Sequence, residues 1–131
     1  MKLTSGSAGS GREQMRERQR RDRSATPLMR ARYPKFASLR LDFVFVDSAA
    51  FTPAPQVTVL HPPARAYFAF PCPYSDCDGE FDLSAVVEEL ARTGETQAGA
   101  QLKCCGRRAR GGEGRVPCQL VLEYSINAQI E

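Results

Sequence analysis

The chain predicts an α+β fold: a mostly antiparallel sheet of four or five strands with one helix packed on it. Three observations carry that prediction. Leu39, Leu41, Phe43 and Phe45 alternate with other residues, and residues 118–129 alternate again, the period of strands that bury one face. Leu83, Val86, Val87 and Leu90 fall instead at i, i+3, i+4 and i+7, one apolar stripe of a helix. Five cysteines, Cys72, Cys77, Cys104, Cys105 and Cys118, fall at the ends of predicted strands and in turns.

Taken in order, residues 1–11 are rich in Gly, Ser and Thr and predict disorder. Residues 12–23 are strong helix formers with one apolar side chain, Met15. Such a segment can be a solvated helix or coil and cannot fold against a core by itself. A short helical turn follows near Thr26–Tyr33, opened by Pro27 and stopped by Pro34. Residues 1–36 thus read as a basic arm, mostly disordered or transiently helical and mobile over 1–24, and residues 37–131 as a zinc-stapled domain. Within that domain the strands are expected at 39–46, 56–61, 66–70, 99–104 and 118–129. The helix over 83–92 can be capped by Asp82 or Ser84 and ends before Gly94, with Leu83, Val86, Val87 and Leu90 buried. Residues 47–55 read as a loop, and Arg107–Arg115, punctuated by glycines, as a flexible basic loop.

Charge separates the same two parts. Residues 1–38 hold 10 basic against 3 acidic side chains, a formal +7, and residues 39–131 hold 8 against 12, a formal −4. A body of this size buries only about 60–65% of its unfolded surface, so a staple suits it. No run approaches the roughly 20 apolar residues that span a membrane, and the first residues lack the apolar core of a secretory signal. A cytoplasmic location without membrane association is therefore expected, where thiols stay reduced and metal ligation outweighs disulfides. The odd cysteine count points the same way.

Thiolates offered from strand ends in two separated groups are how small domains build a tetrahedral Zn2+ site. Cys72, Cys77 and Cys118 supply three ligands, and the fourth is Cys104 or Cys105. Alternation from Leu102 places Cys104 on that residue's side, whereas the Cys105-Gly106 step suits a ligand turn. Adjacent strand residues point to opposite faces, so both do not bind together. Over residues 68–122 the arrangement resembles a zinc ribbon, in which two cysteine pairs at strand ends join distant parts of a small sheet. It differs in a first spacing of four, a second pair split by 12 or 13 residues, and a helix between the pairs. The resemblance implies a structural Zn2+.

Other chemistry is poorly supplied. From Asp76, a calcium loop would need Gly where Phe81 stands and Glu where Val87 stands. Asp76, Asp78, Glu80 and Asp82 read instead as acids that solvate a turn and complement a helix N-terminus. His61 is the only histidine, and no phosphate-cradling Gly-rich motif is present. The expectation is a non-enzymatic module. Arg12, Arg16, Arg18, Arg20, Arg21 and Arg23, with Arg107, Arg108 and Arg110 as a second cluster, suit the phosphates of a nucleic acid or nucleoprotein partner. The alternatives are an adaptor that meets a protein through its acidic body, and a thiol redox sensor built on Cys104 and Cys105.

Overall fold

The computed structural model describes residues 11–48, 52–109 and 114–131. It is an α+β structure whose main sheet has four antiparallel strands. The elements are α1 (Gly11–Ala25), α2 (Met29–Arg32), β1 (Phe36–Val46), β2 (Gln56–Leu60), β3 (Ala69–Pro71), β4 (Glu80–Asp82), α3 (Ser84–Thr93), β5 (Gln97–Lys103), β6 (Arg107–Ala109), β7 (Arg115–Pro117) and β8 (Val121–Ile130). The main sheet runs β2-β1-β8-β5, and β3–β4 and β6–β7 form two small two-stranded sheets.

Alternation in β1 and β8 builds the core. Leu39, Leu41, Phe43 and Phe45 turn inward beside Leu122, Tyr124, Ile126 and Ala128. Phe36 also turns inward although it sits an odd number of residues from Leu39. A register shift between Phe36 and Ser38 supplies the extra residue that restores its direction. The opposite face of the sheet is open and exposes Val44, Val46, Val57 and Val59.

Helix α3 covers the inner face with Leu83, Val87 and Leu90 buried, while Val86 packs against the core from a half-buried position. Its N-cap position is Leu83, which makes no side-chain cap, rather than Asp82 or Ser84. Asp82 Oδ1 instead accepts hydrogen bonds from the Ser84 amide (2.9 Å) and hydroxyl (2.5 Å) just before the first turn. Gly94 ends it in the left-handed region at φ 78°, donating its N–H to Leu90 O. Tyr33, at the end of α2, donates to Glu88 of α3 at 2.8 Å and so ties the two helices.

The structure departs from the sequence expectation in several further places. The segment 107–115 is not a free loop, since β6 and β7 pair as a short antiparallel ladder, with residues 110–113 outside the described set. Of the strand expected at 66–70 only Ala69 and Phe70 pair, continued by Pro71, and their partner is β4, in a segment expected to be a turn. The basic segment is a 15-residue helix packed on the body, with Met15 and Gln19 buried. Docking needed no apolar stripe because its anchors are polar: Arg12 and Gln19 reach body partners at 2.7–3.1 Å. Residues 1–10, also expected to be mobile, lie outside the described residues.

Candidate metal centre

Three turns converge at one end of the core and carry four cysteines between them. Cys72 follows β3, Cys77 lies in the turn from β3 to β4, Cys104 follows β5, and Cys118 follows β7. Their Sγ atoms all lie within 4.8 Å of one another, and all four residues are buried. Cys72 and Cys118 are 3.9 Å apart at sulfur, and Cys77 and Cys104 are 3.7 Å apart. A tetrahedron with ligand bonds of about 2.3 Å has edges of about 3.8 Å, so the cage has the size of a four-thiolate metal site. Cys105 lies outside it, exposed, with its sulfur toward Lys103 O.

Backbone amides line the cage. Gly79 N–H points to Cys77 Sγ at 3.3 Å and Gly106 N–H to Cys104 Sγ at 3.4 Å. The amides of Tyr74 and Leu120 do the same for Cys72 and Cys118. Each sulfur thus receives the amide two residues onward, which stabilises negative charge there. The turns are stitched together by Cys72 N–H to Gly79 O (2.9 Å), Cys104 N–H to Leu120 O (2.9 Å) and Cys118 N–H to Gly106 O (3.0 Å).

Two glycines permit this closeness. A Cβ on Gly79 would collide with Cys104 Sγ and the Gly106 backbone, and one on Gly106 would collide with the Gly79 backbone. Both clashes involve backbone atoms, so neither can be relieved cheaply. The sequence held a signal for this. Cys77-Asp-Gly79 and Cys104-Cys-Gly106 share a Cys-x-Gly step, whereas the adjacent Cys105-Gly106 pair, expected to favour Cys105, instead places the Gly106 amide on Cys104.

The surroundings of the four sulfurs raise three of the thiols and lower the fourth. The Cys72 thiol is pushed up first by its interaction with Cys104 and then by burial. Burial raises Cys118 and lifts Cys77 to about 12. Cys104 goes the other way, to about 6, because the Cys72 thiol donates to it and the Gly106 amide and the other two thiols add to that. A cation in the cage would reverse the three upward shifts, since a coordinating thiol is deprotonated by the metal.

The acids expected to solvate the turn brace the cage instead. Asp78 accepts from the Arg107 amide (2.8 Å) and the Arg115 guanidinium (2.6 Å), locking β6 and β7 to the first cysteine turn. Asp76 accepts from Arg108 Nε at 2.8 Å, and that guanidinium lies 3.7 Å from the centre of the Tyr74 ring. Tyr74 donates in turn to Asp47 at 2.6 Å.

The basic residues are therefore divided in their duties. Arg12 donates into the body, and Arg18 pairs with Glu80 and Asp22. Arg20 pairs with Glu17, and Arg23 lies over Tyr67. Arg107 and Arg108 hold the small hairpin, while Arg110 falls outside the described residues. Arg16 and Arg21 are exposed on α1, as are Arg30 and Arg65 nearby in the chain and the fold. His61 is exposed, away from the cysteine cluster. No helix among the described residues is long and apolar enough to cross a membrane. Compared with protein-family models, with curated proteins and with solved structures, the chain matches none.

Proposed function

We propose that the chain is a non-enzymatic binding module stapled by one structural Zn2+ in a zinc-ribbon-like site. The observation that carries this reading is the cage itself: four buried sulfurs within 4.8 Å, and no carboxylate or imidazole among them. An all-sulfur tetrahedral set is soft and selects zinc or iron–sulfur chemistry over hard cations. Amides that crowd every sulfur leave a closed site with no position for a reacting water, which is the arrangement of a structural zinc. Zinc there would supply cross-linking and no turnover. It would hold together the first cysteine turn, the end of β5 and the start of β8. Metal analysis of protein purified without chelator tests this, with one zinc per chain expected. Iron in its place, or no metal, would overturn it.

The partner we favour is the phosphate backbone of a nucleic acid, alone or in a nucleoprotein. What supports this is a rigid basic ridge, in which the outward face of α1 offers Arg16, Arg20 and Arg21 on a helix fixed to the body. A guanidinium presented on a fixed scaffold loses little freedom on meeting a phosphate. Because Arg12 and Arg18 are engaged internally, two to four phosphate contacts are expected. These give a log–log salt slope of roughly −2 to −4 on duplex DNA. Arg16→Ala with Arg21→Ala should flatten that slope by about 2 without unfolding the body. Binding that ignores both salt and this variant would favour the adaptor reading. In that case the exposed valines of the open sheet face, Val44, Val46, Val57 and Val59, are the surface to test.

A further inference from the structure

Helix α1 stands almost entirely on the first cysteine turn. Arg12 Nη1 donates to three backbone carbonyls, Cys72 O at 2.7 Å, Tyr74 O at 2.8 Å and Cys77 O at 3.1 Å. Gly11 lies so close to Asp78 that a Cβ there would meet Asp78 Oδ2 at 2.8 Å. Gln19 Nε2 and Arg18 Nη2 reach the two carboxylate oxygens of Glu80 at 2.8 and 2.5 Å. These anchor points span residues 72–80, the strand–turn–strand segment that carries Cys72 and Cys77. Elsewhere on the helix Arg23 lies over the Tyr67 ring and Met15 is buried.

That footing exists in only one shape of the chain. Six residues in an extended segment span up to roughly 20 Å, so the carbonyls of residues 72, 74 and 77 can converge on one nitrogen only when the turn is wrapped. The wrapped turn is the one that brings Cys72 and Cys77 to the cage.

We propose that metal occupancy of the cysteine cage and docking of α1 are coupled, so that losing the metal releases the basic helix from the body. The inference rests on the metal reading above and adds a regulatory consequence to it. Metal orders the turn, and the ordered turn presents the three carbonyls that Arg12 clamps. Coupling between two sites is reciprocal, so a docked α1 must tighten metal binding by the same factor by which metal tightens docking. Release also frees Arg12 and Arg18, which changes how many guanidinium groups a polyanion can meet.

The test uses the full chain and Zn2+ itself. Competition with a chromogenic chelator gives the zinc affinity of the native protein, Arg12→Ala and Arg16→Ala. Hydrogen exchange on the zinc-loaded proteins reports protection of the α1 amides against those of β1. Arg12→Ala should weaken zinc binding by between about 5- and 150-fold, the usual range of such couplings. It should also strip protection from α1 while β1 keeps its own. Arg16→Ala, which alters the same helix on its outer side, should match the native protein in both readouts. Arg12→Ala that binds zinc as tightly as the native chain overturns the coupling and leaves the metal site standing. A native chain that takes up no zinc overturns both. If the metal-stripped protein unfolds throughout, the comparison of zinc-loaded variants still decides.

Discussion

Cys104 and Cys105 are neighbours in sequence with the same side chain, and the structure assigns them opposite consequences when either becomes serine. Cys104 is 3% exposed and sits among three other sulfurs, whereas Cys105 is exposed and reaches only a backbone carbonyl. A structural zinc contributes an apparent 10–16 kcal/mol, so an equal share for each of four ligands is about 2.5–4 kcal/mol. Cys104→Ser should lose an amount of this order, and the zinc-loaded Tm should fall by roughly 10–15 °C for a chain of this size. Cys105→Ser should stay within about 0.5 kcal/mol of the native protein, as surface changes do. Denaturant unfolding with and without chelator is the assay. Chelator should remove most of the gap between the two variants, because the gap belongs to the metal. Equal losses in both variants would refute the assignment of Cys104 over Cys105, and a gap that persists after chelation would show that Cys104 acts only as a buried apolar residue.

Two further changes probe the surroundings of the cage. Gly79→Ala adds a methyl where Cys104 Sγ and the Gly106 backbone already stand, so it should cost about 1–3 kcal/mol and lower zinc affinity in chelator competition. Leu90→Ala truncates a side chain that is 2% exposed under α3. It should cost roughly 2–4 kcal/mol in denaturant unfolding while leaving zinc stoichiometry unchanged; a cost near zero would mean that α3 does not cover the core.

The elements legible in the sequence were those with a period. The alternation of β1 and β8 and the stripe of α3 each follow from burying one face, and all three stand within a few residues of where the pattern places them. The strand expected from Cys118 begins only at Val121, because residues 118–120 are spent turning the cysteine into the cage. What the pattern could not convey was any structure held by single polar contacts. The β6–β7 ladder reads as a loop because its glycines and arginines carry no period, and it is fixed by Asp76 and Asp78, some thirty residues earlier in the chain. Strand β4 is three residues long, too short for alternation to register.

The charge imbalance that marked residues 1–38 as a separate arm has a second meaning in the folded chain. A zinc bound by four thiolates, as proposed, leaves two net negative charges in a buried place, and such charge needs compensation nearby. The amides at each sulfur provide part of it. Arg12, clamped on the carbonyls of the first cysteine turn, and Arg108, stacked on Tyr74 beside that turn, bring full positive charges to the same region. Glu80 offers both its oxygens to Arg18 and Gln19 one turn or more further along α1. The Arg18–Glu80 and Arg32–Glu88 pairs are thus the points at which base of the N-terminal segment meets acid of the body. A segment with a single buried apolar side chain can dock when its partner is a turn that gathers carbonyl oxygens on its surface. Hydrophobic periodicity is blind to that kind of attraction, but the sign of the charge on each side of residue 38 is not.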